Sequence, residues 1–178
     1  MQLNRQQCED LLGASMAGAR AGAPLNRFIT VAWGKGGLDA KDSVNATGEF
    51  VRLAREWHRE RGHAMPWCWV QEFGPVYRAH CHLLLHVPAE LEPLFRPMPR
   101  RWARKVLDGN YTKGLVQSQR LAAAYAQEPL AGHYRAVLLD KLHYMLKAAP
   151  AALEEPLGLA GWGYKPWGQS CPVIGKRA

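Results

Sequence analysis

The hydrophobic and polar positions along the chain predict strands in its first half. Residues 27–33 and 67–73 are rich in β-branched and aromatic side chains, as strands are. Residues 78–88 contain two histidines and then a run of leucines, and they end at a proline, which is typical of a buried strand. Because Gly74 and Pro75 separate the second segment from the third, we expect these two segments to form a β-hairpin.

Apolar positions with a helical period predict three longer helices. These helices lie at residues 47–61, 91–107 and 132–147. Pro97 and Pro99 interrupt the second of them, because proline cannot continue the hydrogen bonds of a helix interior.

Two further segments show weaker patterns. Residues 1–23 indicate a short helix that runs into an alanine- and glycine-rich linker, and residues 115–121 alternate weakly, as another strand would. With 178 residues, 48% of them hydrophobic and 21% charged, the chain fits one globular domain and not a disordered segment.

The charge and the cysteines restrict the class of protein. The net charge of +8 favours an anionic partner, a nucleic acid before a membrane. No apolar run approaches the roughly 20 residues of a membrane span, and the polar N-terminus does not resemble a secretory signal, so we expect a cytoplasmic protein. The four cysteines show no C-x-x-C spacing, which favours reduced thiols over a zinc ribbon or a disulfide scaffold. They are Cys8, Cys68, Cys81 and Cys171.

His80 and His82 are the first candidates for a functional site. Residues two apart on a strand point to the same side, so both imidazoles can reach one metal ion. The pair alone is equally compatible with two hydrogen-bonded histidines on a polar strand face. If the hairpin turns about Val76, Glu72 lies opposite His80 and shares its face, whereas Trp69 points to the other side together with Trp67 and Phe73.

This arrangement depends on the strand register, because a shift of one residue moves Glu72 to the other face. In the expected register, two imidazoles and one carboxylate form a three-ligand site with open positions. Mixed nitrogen and oxygen ligands suit Mn²⁺ or Mg²⁺, with Zn²⁺ as a less favoured ion. The alternative for Glu72 is an exposed strand carboxylate.

The last predicted helix carries Tyr144 and Lys147 one turn apart on one face, with Asp140 on the same side. The helical pattern alone favours an ordinary amphipathic helix with these residues at its rim.

Basic residues form two groups outside the histidine strand. The group at residues 96–105 is either a solvated helix face or a contact to a phosphate backbone. Its members are Arg96, Arg100, Arg101, Arg104 and Lys105. In the tail, aromatic and basic residues either stack on unpaired bases and hold phosphates or pack onto the domain. These residues are Trp162, Lys165 and Trp167.

Three blocks in this order resemble the HUH endonucleases, specifically the rolling-circle replication initiators with one catalytic tyrosine. Residues 28–31, Phe-Ile-Thr-Val, are similar to the first motif of that family, a strand that supports the site. His80-Cys81-His82 with the following leucines is similar to the His-hydrophobe-His motif, and residues 144–147, Tyr-Met-Leu-Lys, are similar to the tyrosine motif.

The resemblance implies a fold and a role for each site residue. The fold is α+β, a central antiparallel sheet with flanking helices. The endonuclease domain occupies residues 27–150, after a helix and linker at 1–26 and before an aromatic and basic tail at 151–178 that packs on or extends the domain. Tyr144 is then the nucleophile and Lys147 assists at the scissile phosphate. The metal ligands are His80, His82 and Glu72.

The implied activity is sequence-specific nicking and joining of single-stranded DNA at a replication origin of a plasmid or phage. The tyrosine stays attached to the 5′-phosphate, and the divalent metal is Mn²⁺ or Mg²⁺. Family members with two catalytic tyrosines would have the second one four residues after Tyr144. That position is Ala148, so the two-tyrosine pattern is not met. The chain lacks a G-x-x-x-x-G-K-[ST] helicase motif, so the DNA duplex would be opened by a host helicase in the bacterial cytoplasm or by supercoiling.

Three alternatives stay open. A relaxase or a single-strand transposase belongs to the same superfamily, although relaxases usually show three histidines. A non-catalytic protein could bind single strands on an aromatic sheet face. A zinc hydrolase with a His-x-His motif would need an aspartate soon after the pair, which the sequence lacks, and would have no use for Tyr144.

Overall fold

The protein has an α+β fold, a central antiparallel sheet with helices on both faces. The computed structural model describes residues 3–121, 130–153, 155–157 and 174–177. The strands in this part of the chain are β1 (Arg27–Val31), β2 (Trp67–Gly74), β3 (Arg78–Leu85), β4 (Val116–Arg120) and β5 (Ile174–Arg177). The α-helices are α1 (Arg5–Arg20), α2 (Ala40–Arg59), α3 (Glu92–Phe95), α4 (Met98–Leu107) and α5 (Leu130–Met145).

The sheet has the order β4-β1-β3-β2-β5, and all neighbouring strands are antiparallel. The predicted hairpin is confirmed: β2 and β3 pair from Gly74 opposite Arg78 onwards. β1 pairs with the other edge of β3, which makes β3 the central strand. In the tail, β5 adds a strand beside β2.

The first strand is shorter than the sequence predicts. β1 ends at Val31, and a 3₁₀ turn, Trp33–Gly36, follows it. At this turn the backbone passes directly over the start of β3, since a Cβ on Gly34 would lie 2.5 Å from the Cβ of Arg78. Trp33 lies beyond the end of β1, and its indole N–H donates a hydrogen bond to Thr47 Oγ1 at 2.8 Å.

Helix α2 begins at Ala40 and not at residue 47 as predicted. Asp39 caps it by accepting a hydrogen bond from the backbone N–H of Asp42. The first turns bury Ser43 and Thr47, whose hydroxyls hydrogen-bond with the Gln71 side chain. Because polar residues are buried there, hydropathy does not reveal this part of the helix.

The prolines at 97 and 99 have the expected effect of dividing the segment into α3 and α4. Pro99 lies in the first turn of α4, where a missing backbone N–H costs little. The last long helix, α5, ends at Met145, so Lys147 lies in the turn that follows it and not in the helix.

Two hydrophobic layers enclose the sheet. We call the side covered by α2, α3 and α4 the α2/α4 face, and the side covered by α1 and α5 the α1/α5 face. The α2/α4 face is rich in aromatic rings, including Trp33, Phe50, Trp57, Phe95 and Trp102. The α1/α5 face joins sheet residues to the two helices, among them Cys68, Val70, Leu84, Leu11, Leu138, Leu142 and Met145.

The cysteines agree with the expectation of reduced thiols as far as the structure describes them. Cys8, Cys68 and Cys81 are buried and free, and Cys171 lies outside the described residues. Burial raises the pKa of the Cys68 thiol to about 12. Among the described helices none has the length and apolar character needed to cross a membrane.

Candidate active site

The register of the hairpin brings a carboxylate and two imidazoles to one face. Glu72 pairs directly with His80, as predicted, and His82 is the next residue of β3 on that face. All three side chains lie on the α1/α5 face, while Trp67 and Trp69 pack in the opposite layer. The strand pairing therefore supplies the three residues without any help from loops.

The ligand atoms of this group are close together and shielded from water. Glu72 Oε2 lies 3.2 Å from His80 Nε2 and 3.6 Å from His82 Nε2. The exposed fractions of the three residues are only 5%, 5% and 2%, in the order Glu72, His80 and His82. The three ligand atoms lie within 4.8 Å of one another, so the group can hold a metal ion.

Hydrogen bonds to the far nitrogens orient both imidazoles. The Arg78 carbonyl lies 2.9 Å from His80 Nδ1 and can only accept, so Nδ1 carries the proton. His80 Nε2 then points at Glu72 Oε2 and is placed to ligate a metal ion together with it. His82 Nδ1 is 2.9 Å from the Thr30 hydroxyl, and its buried Nε2 has no hydrogen-bond partner in the described part of the chain. Both features fit a metal site.

The charges around Glu72 hold it in the form that binds metals. Burial would raise the pKa of the Glu72 carboxyl, but the close imidazoles of His80 and His82 and the charge of Lys147 outweigh burial and keep the pKa well below its usual range. Burial is also the main reason why the pKa of His82 is lowered, against the opposing effect of Glu72. An ionised carboxylate and a neutral imidazole are the protonation states that ligation requires.

The end of α5 delivers a tyrosine and a lysine to the same group. The Tyr144 ring stands edge-on to the His82 ring, with 4.8 Å between centroids. Lys147 Nζ lies 3.9 Å from the centre of the Tyr144 ring and 2.5 Å from Glu72 Oε2. The structure thus brings together five side chains that the sequence distributes over three segments. Asp140 is not among them, because it is exposed and pairs with Lys141.

The sequence does not single out three neighbours of the site. Phe28 stacks on His82 with an angle of 9° between the ring planes, and the Thr30 hydroxyl forms a hydrogen bond with the same imidazole. Tyr77, in the hairpin turn, packs its ring 5.5 Å from that of His80. The alternation of β1 could have indicated Phe28 and Thr30 once β1 was known to pair with β3, but no local pattern marks Tyr77.

The other sequence candidates lie elsewhere. The basic residues of 96–105 are exposed on the helices of the α2/α4 face, on the opposite side of the sheet from Glu72. They are Arg96, Arg100, Arg101, Arg104 and Lys105. The aromatic and basic residues of the tail, Trp162, Lys165 and Trp167, lie outside the described residues. His86 follows β3 and is not part of the group, since its Nδ1 lies 2.8 Å from the Pro24 carbonyl.

No protein family, no curated protein and no solved structure matched this chain in the comparisons made. The side chains that meet at this site form a buried group of two histidines and one glutamate, beside a tyrosine and a lysine, on one face of an antiparallel sheet.

Proposed function

We propose that the protein is a metal-dependent endonuclease that nicks and rejoins single-stranded DNA through a covalent phosphotyrosine. The observation that supports this most strongly is the meeting of Tyr144 with the histidine pair, 4.8 Å from the His82 ring. The combination and its order in the chain resemble the HUH endonucleases that initiate rolling-circle replication. Its role would be to start the replication of a plasmid or phage in a bacterial cytoplasm.

The residues present fit a divalent cation. Glu72, His80 and His82 offer one oxygen and two nitrogen ligands, which suit Mn²⁺ or Mg²⁺ and, less well, Zn²⁺. When bound, the ion would polarise a phosphodiester oxygen and stabilise the charge that develops in the transition state.

Tyr144 supplies the nucleophile in this proposal. Its hydroxyl oxygen attacks the phosphorus and loses its proton, the bond from phosphorus to the 3′ oxygen breaks, and a 5′-phosphotyrosine and a free 3′-hydroxyl result. Phenol, with a pKa of about 10, is a better leaving group than a sugar hydroxyl. The 3′-hydroxyl can therefore attack the phosphotyrosine later and reseal the strand without ATP.

Lys147 holds a positive charge where the reaction needs it. Its ammonium group lies between the Glu72 carboxylate, at 2.5 Å, and the Tyr144 ring, at 3.9 Å. In this position it stabilises a developing phenolate or the charge on the scissile phosphate.

The proposed partner is single-stranded DNA at a replication origin. The net charge of +8 favours a polyanion, and the resemblance to the HUH endonucleases implies that this polyanion is a single DNA strand. A host helicase would supply that strand. Glu72, His80 and His82 form what we call the metal group. His86 lies outside the metal group, so the three-histidine pattern of relaxases is not met, whereas a single-strand transposase shares this chemistry and is the closest alternative.

A covalent-adduct assay tests this function. The wild type and Tyr144→Phe are incubated with labelled single-stranded oligonucleotides pooled over many sequences, with Mn²⁺ or with EDTA. We expect a denaturant-resistant adduct only when Tyr144 and the metal are both present. Tyr111→Phe is the matched control, because Tyr111 lies beside Arg104 in the other layer. Binding without any adduct across the pool would instead support a non-catalytic single-strand binder.

A further inference from the structure

A cavity rich in arginine lies at the β4 edge of the sheet, on the α2/α4 face and thus across the sheet from the metal group. Its volume is about 370 Å³. Four arginines line it, together with one carboxylate, Glu92, and the hydroxyl of Ser118. The arginines come from two strands and from the segment around the start of α4. They are Arg27, Arg96, Arg100 and Arg120. We refer to this site as the arginine cavity.

The arginine cavity carries more positive charge than its own residues neutralise. Glu92 forms an ion pair with Arg27 and lies 3.8 Å from Arg120. Neither Arg96 nor Arg100 has an ion-pair partner among the residues that the structure describes. Four arginines against one carboxylate leave an excess of three positive charges around one cavity.

The most deeply placed of these arginines is Arg27, which is buried beside other charges. Arg27 is 8% exposed, and its Nε has no hydrogen-bond partner in the described residues. Burial lowers the pKa of Arg27, Glu92 opposes this effect, and the charge of Arg120 adds to the lowering. An anion in the cavity would relieve this repulsion.

The start of α4 adds to the positive potential. The helix begins at Met98 after Pro97, and no side chain caps its first turn. Pro99 and Arg100 of that turn line the arginine cavity. The positive end of the helix dipole therefore lies next to the arginines, where it favours an anion.

A row of side chains across three strands connects the metal group to this edge of the sheet. Thr30 of β1 lies between His82 of β3 and Gln117 of β4 in the strand pairing. Two strand spacings amount to about 10 Å. Gln117 also donates to the Tyr77 hydroxyl at 3.4 Å, and the Tyr77 ring packs on His80. Beyond Gln117 lies the edge of the sheet.

The edge strand itself presents polar groups to both faces. Gln117 and Gln119 are exposed on the side of the metal group, while Ser118 and Arg120 alternate with them and line the arginine cavity. A bound extended strand could leave the metal group by passing over Gln117 and Gln119. If it then turned around the edge strand β4, it would meet Ser118 and Arg120 on the other face.

We propose that the arginine cavity binds a backbone phosphate of the nucleic-acid strand whose neighbouring segment occupies the metal group. This inference rests on the proposed function for the identity of the strand. Arginine forks bind phosphate oxygens in pairs, and the Ser118 hydroxyl adds a neutral donor. The strand would then be held on both sides of the sheet, with the reacting phosphate on one face and a phosphate a few nucleotides away on the other.

Binding measurements in EDTA test this proposal without nicking. The affinity for a fluorescently labelled oligothymidine of 20 nucleotides is compared among three proteins by anisotropy: the wild type, Arg96→Gln/Arg100→Gln and Arg55→Gln/Arg59→Gln. The last is the matched control, since Arg55 and Arg59 are exposed on α2, outside the arginine cavity, and their loss changes the net charge equally.

We expect Arg96→Gln/Arg100→Gln to bind about tenfold more weakly than the wild type, and the control to stay within about twofold. The slope of log affinity against log salt should fall by about 0.7 in the cavity variant, the value for one lost phosphate contact on a single strand. Equal losses in both double variants would mean a general charge effect and would overturn the proposal.

A second arm separates the backbone phosphate from a free anion. Inorganic phosphate is added to the wild type and to the cavity variant, and their melting temperatures are recorded. If phosphate stabilises the wild type alone while both proteins bind the oligonucleotide equally, the cavity is a site for a free anion and the proposal is wrong. Because binding is measured without metal, a failure of Tyr144 to form an adduct would contradict the nicking function and leave this result standing.

Discussion

Two residues orient the imidazoles of His80 and His82, the proposed metal ligands, although neither residue would touch the metal ion. The Arg78 carbonyl fixes His80 and the Thr30 hydroxyl holds His82, both through Nδ1 at 2.9 Å. Arg78 has a positive φ of 53°, which is uncommon for a residue other than glycine. The turn thus accepts an unfavourable backbone conformation at the point where its carbonyl meets His80.

We expect Thr30→Val to weaken Mn²⁺ binding by about 10- to 100-fold, the range for partners of metal-ligating histidines. When His82 ligates through Nε2, its Nδ1 carries a proton that the Thr30 hydroxyl accepts, and valine removes that acceptor. Isothermal titration with Mn²⁺ measures the change. Thr30→Ser retains the hydroxyl and should restore most of the affinity, so equal losses in both variants would show that Thr30 acts through packing alone.

His58, in the other layer, makes the stability of the fold depend on pH. It is fully buried against Phe95 and Trp57, and burial lowers the pKa of its imidazole to about 4, from 6.5. The unfolded chain therefore binds more protons than the folded protein between these two values. The stability is complete above pH 6.5 and falls by about 3 kcal/mol as the pH drops to 4.

His58→Phe should remove most of this dependence, because phenylalanine fits among the same rings and does not titrate. Urea unfolding at pH 7 and at pH 4.5 gives the free energy of unfolding of each protein. If the variant loses as much stability on acidification as the wild type, other groups are responsible for the acid sensitivity.

At the scale of elements, the 3₁₀ turn crosses β3 so closely that it leaves no room for a side chain at Gly34. A Cβ on Gly34 would lie 2.5 Å from the Arg78 Cβ and 2.9 Å from the backbone N of Ala79. We expect Gly34→Ala to destabilise the fold by about 1–3 kcal/mol and to weaken Mn²⁺ binding, since the start of β3 carries His80. Gly48→Ala is the matched control.

The control adds the same methyl group at a position with room for it. Gly48 lies inside α2, and a Cβ there would meet nothing within 4 Å. Gly48→Ala should therefore stabilise the protein by about 0.5–1 kcal/mol through its higher helix propensity and leave the metal affinity unchanged. A Gly34→Ala protein as stable as the wild type would mean that the crossing can open without cost.

The sequence predicts elements whose side chains alternate with a clear period, and it predicts less where polar residues are buried or where distant elements meet. The period of two in β2 and β3, with a turn at Val76, was enough to place Glu72 opposite His80. Hydropathy does not reveal the start of α2, because Ser43 is buried there by a hydrogen bond to Gln71 and not by apolar contacts.

The side of the sheet on which a helix packs is a tertiary property that no local pattern contains. The spacing of Tyr144 and Lys147 indicates that they point the same way, but only the resemblance to HUH endonucleases suggested that they reach His82. Likewise, the sequence indicates a charged surface at residues 96–105, while the position of that surface opposite the metal group follows from the packing of α4 against α2 and β4.

At the scale of the whole molecule, the sheet separates two kinds of surface. The α1/α5 face holds the buried metal group, and the β4 edge of the α2/α4 face holds the arginine cavity. β1 takes part in both, since Phe28 and Thr30 face His82 while Arg27 lines the cavity. Because side chains alternate between the two faces of β1, this one strand fixes the position of the two sites relative to each other.

We expect metal binding to stabilise the fold through the carboxylate that Lys147 contacts. Its ammonium group lies 2.5 Å from Glu72 Oε2, the same oxygen that faces both histidines, so it neutralises the carboxylate in the absence of a cation. Removing one partner of a buried ion pair costs about 3–5 kcal/mol. A bound cation would supply the missing charge, and a ligand that binds only the folded state stabilises it by mass action.

We therefore expect Lys147→Met to melt well below the wild type in EDTA and to recover most of the difference in saturating Mn²⁺. Lys141→Met is the matched control: Lys141 lies on α5 over the Phe28 ring and pairs with Asp140, not with Glu72. Scanning calorimetry of the three proteins, with and without Mn²⁺, measures how much the cation raises the melting temperature of each. If Mn²⁺ stabilises Lys147→Met no more than Lys141→Met, the ammonium group and the cation do not neutralise the same carboxylate, and Lys147 would act only on the phenol or the phosphate.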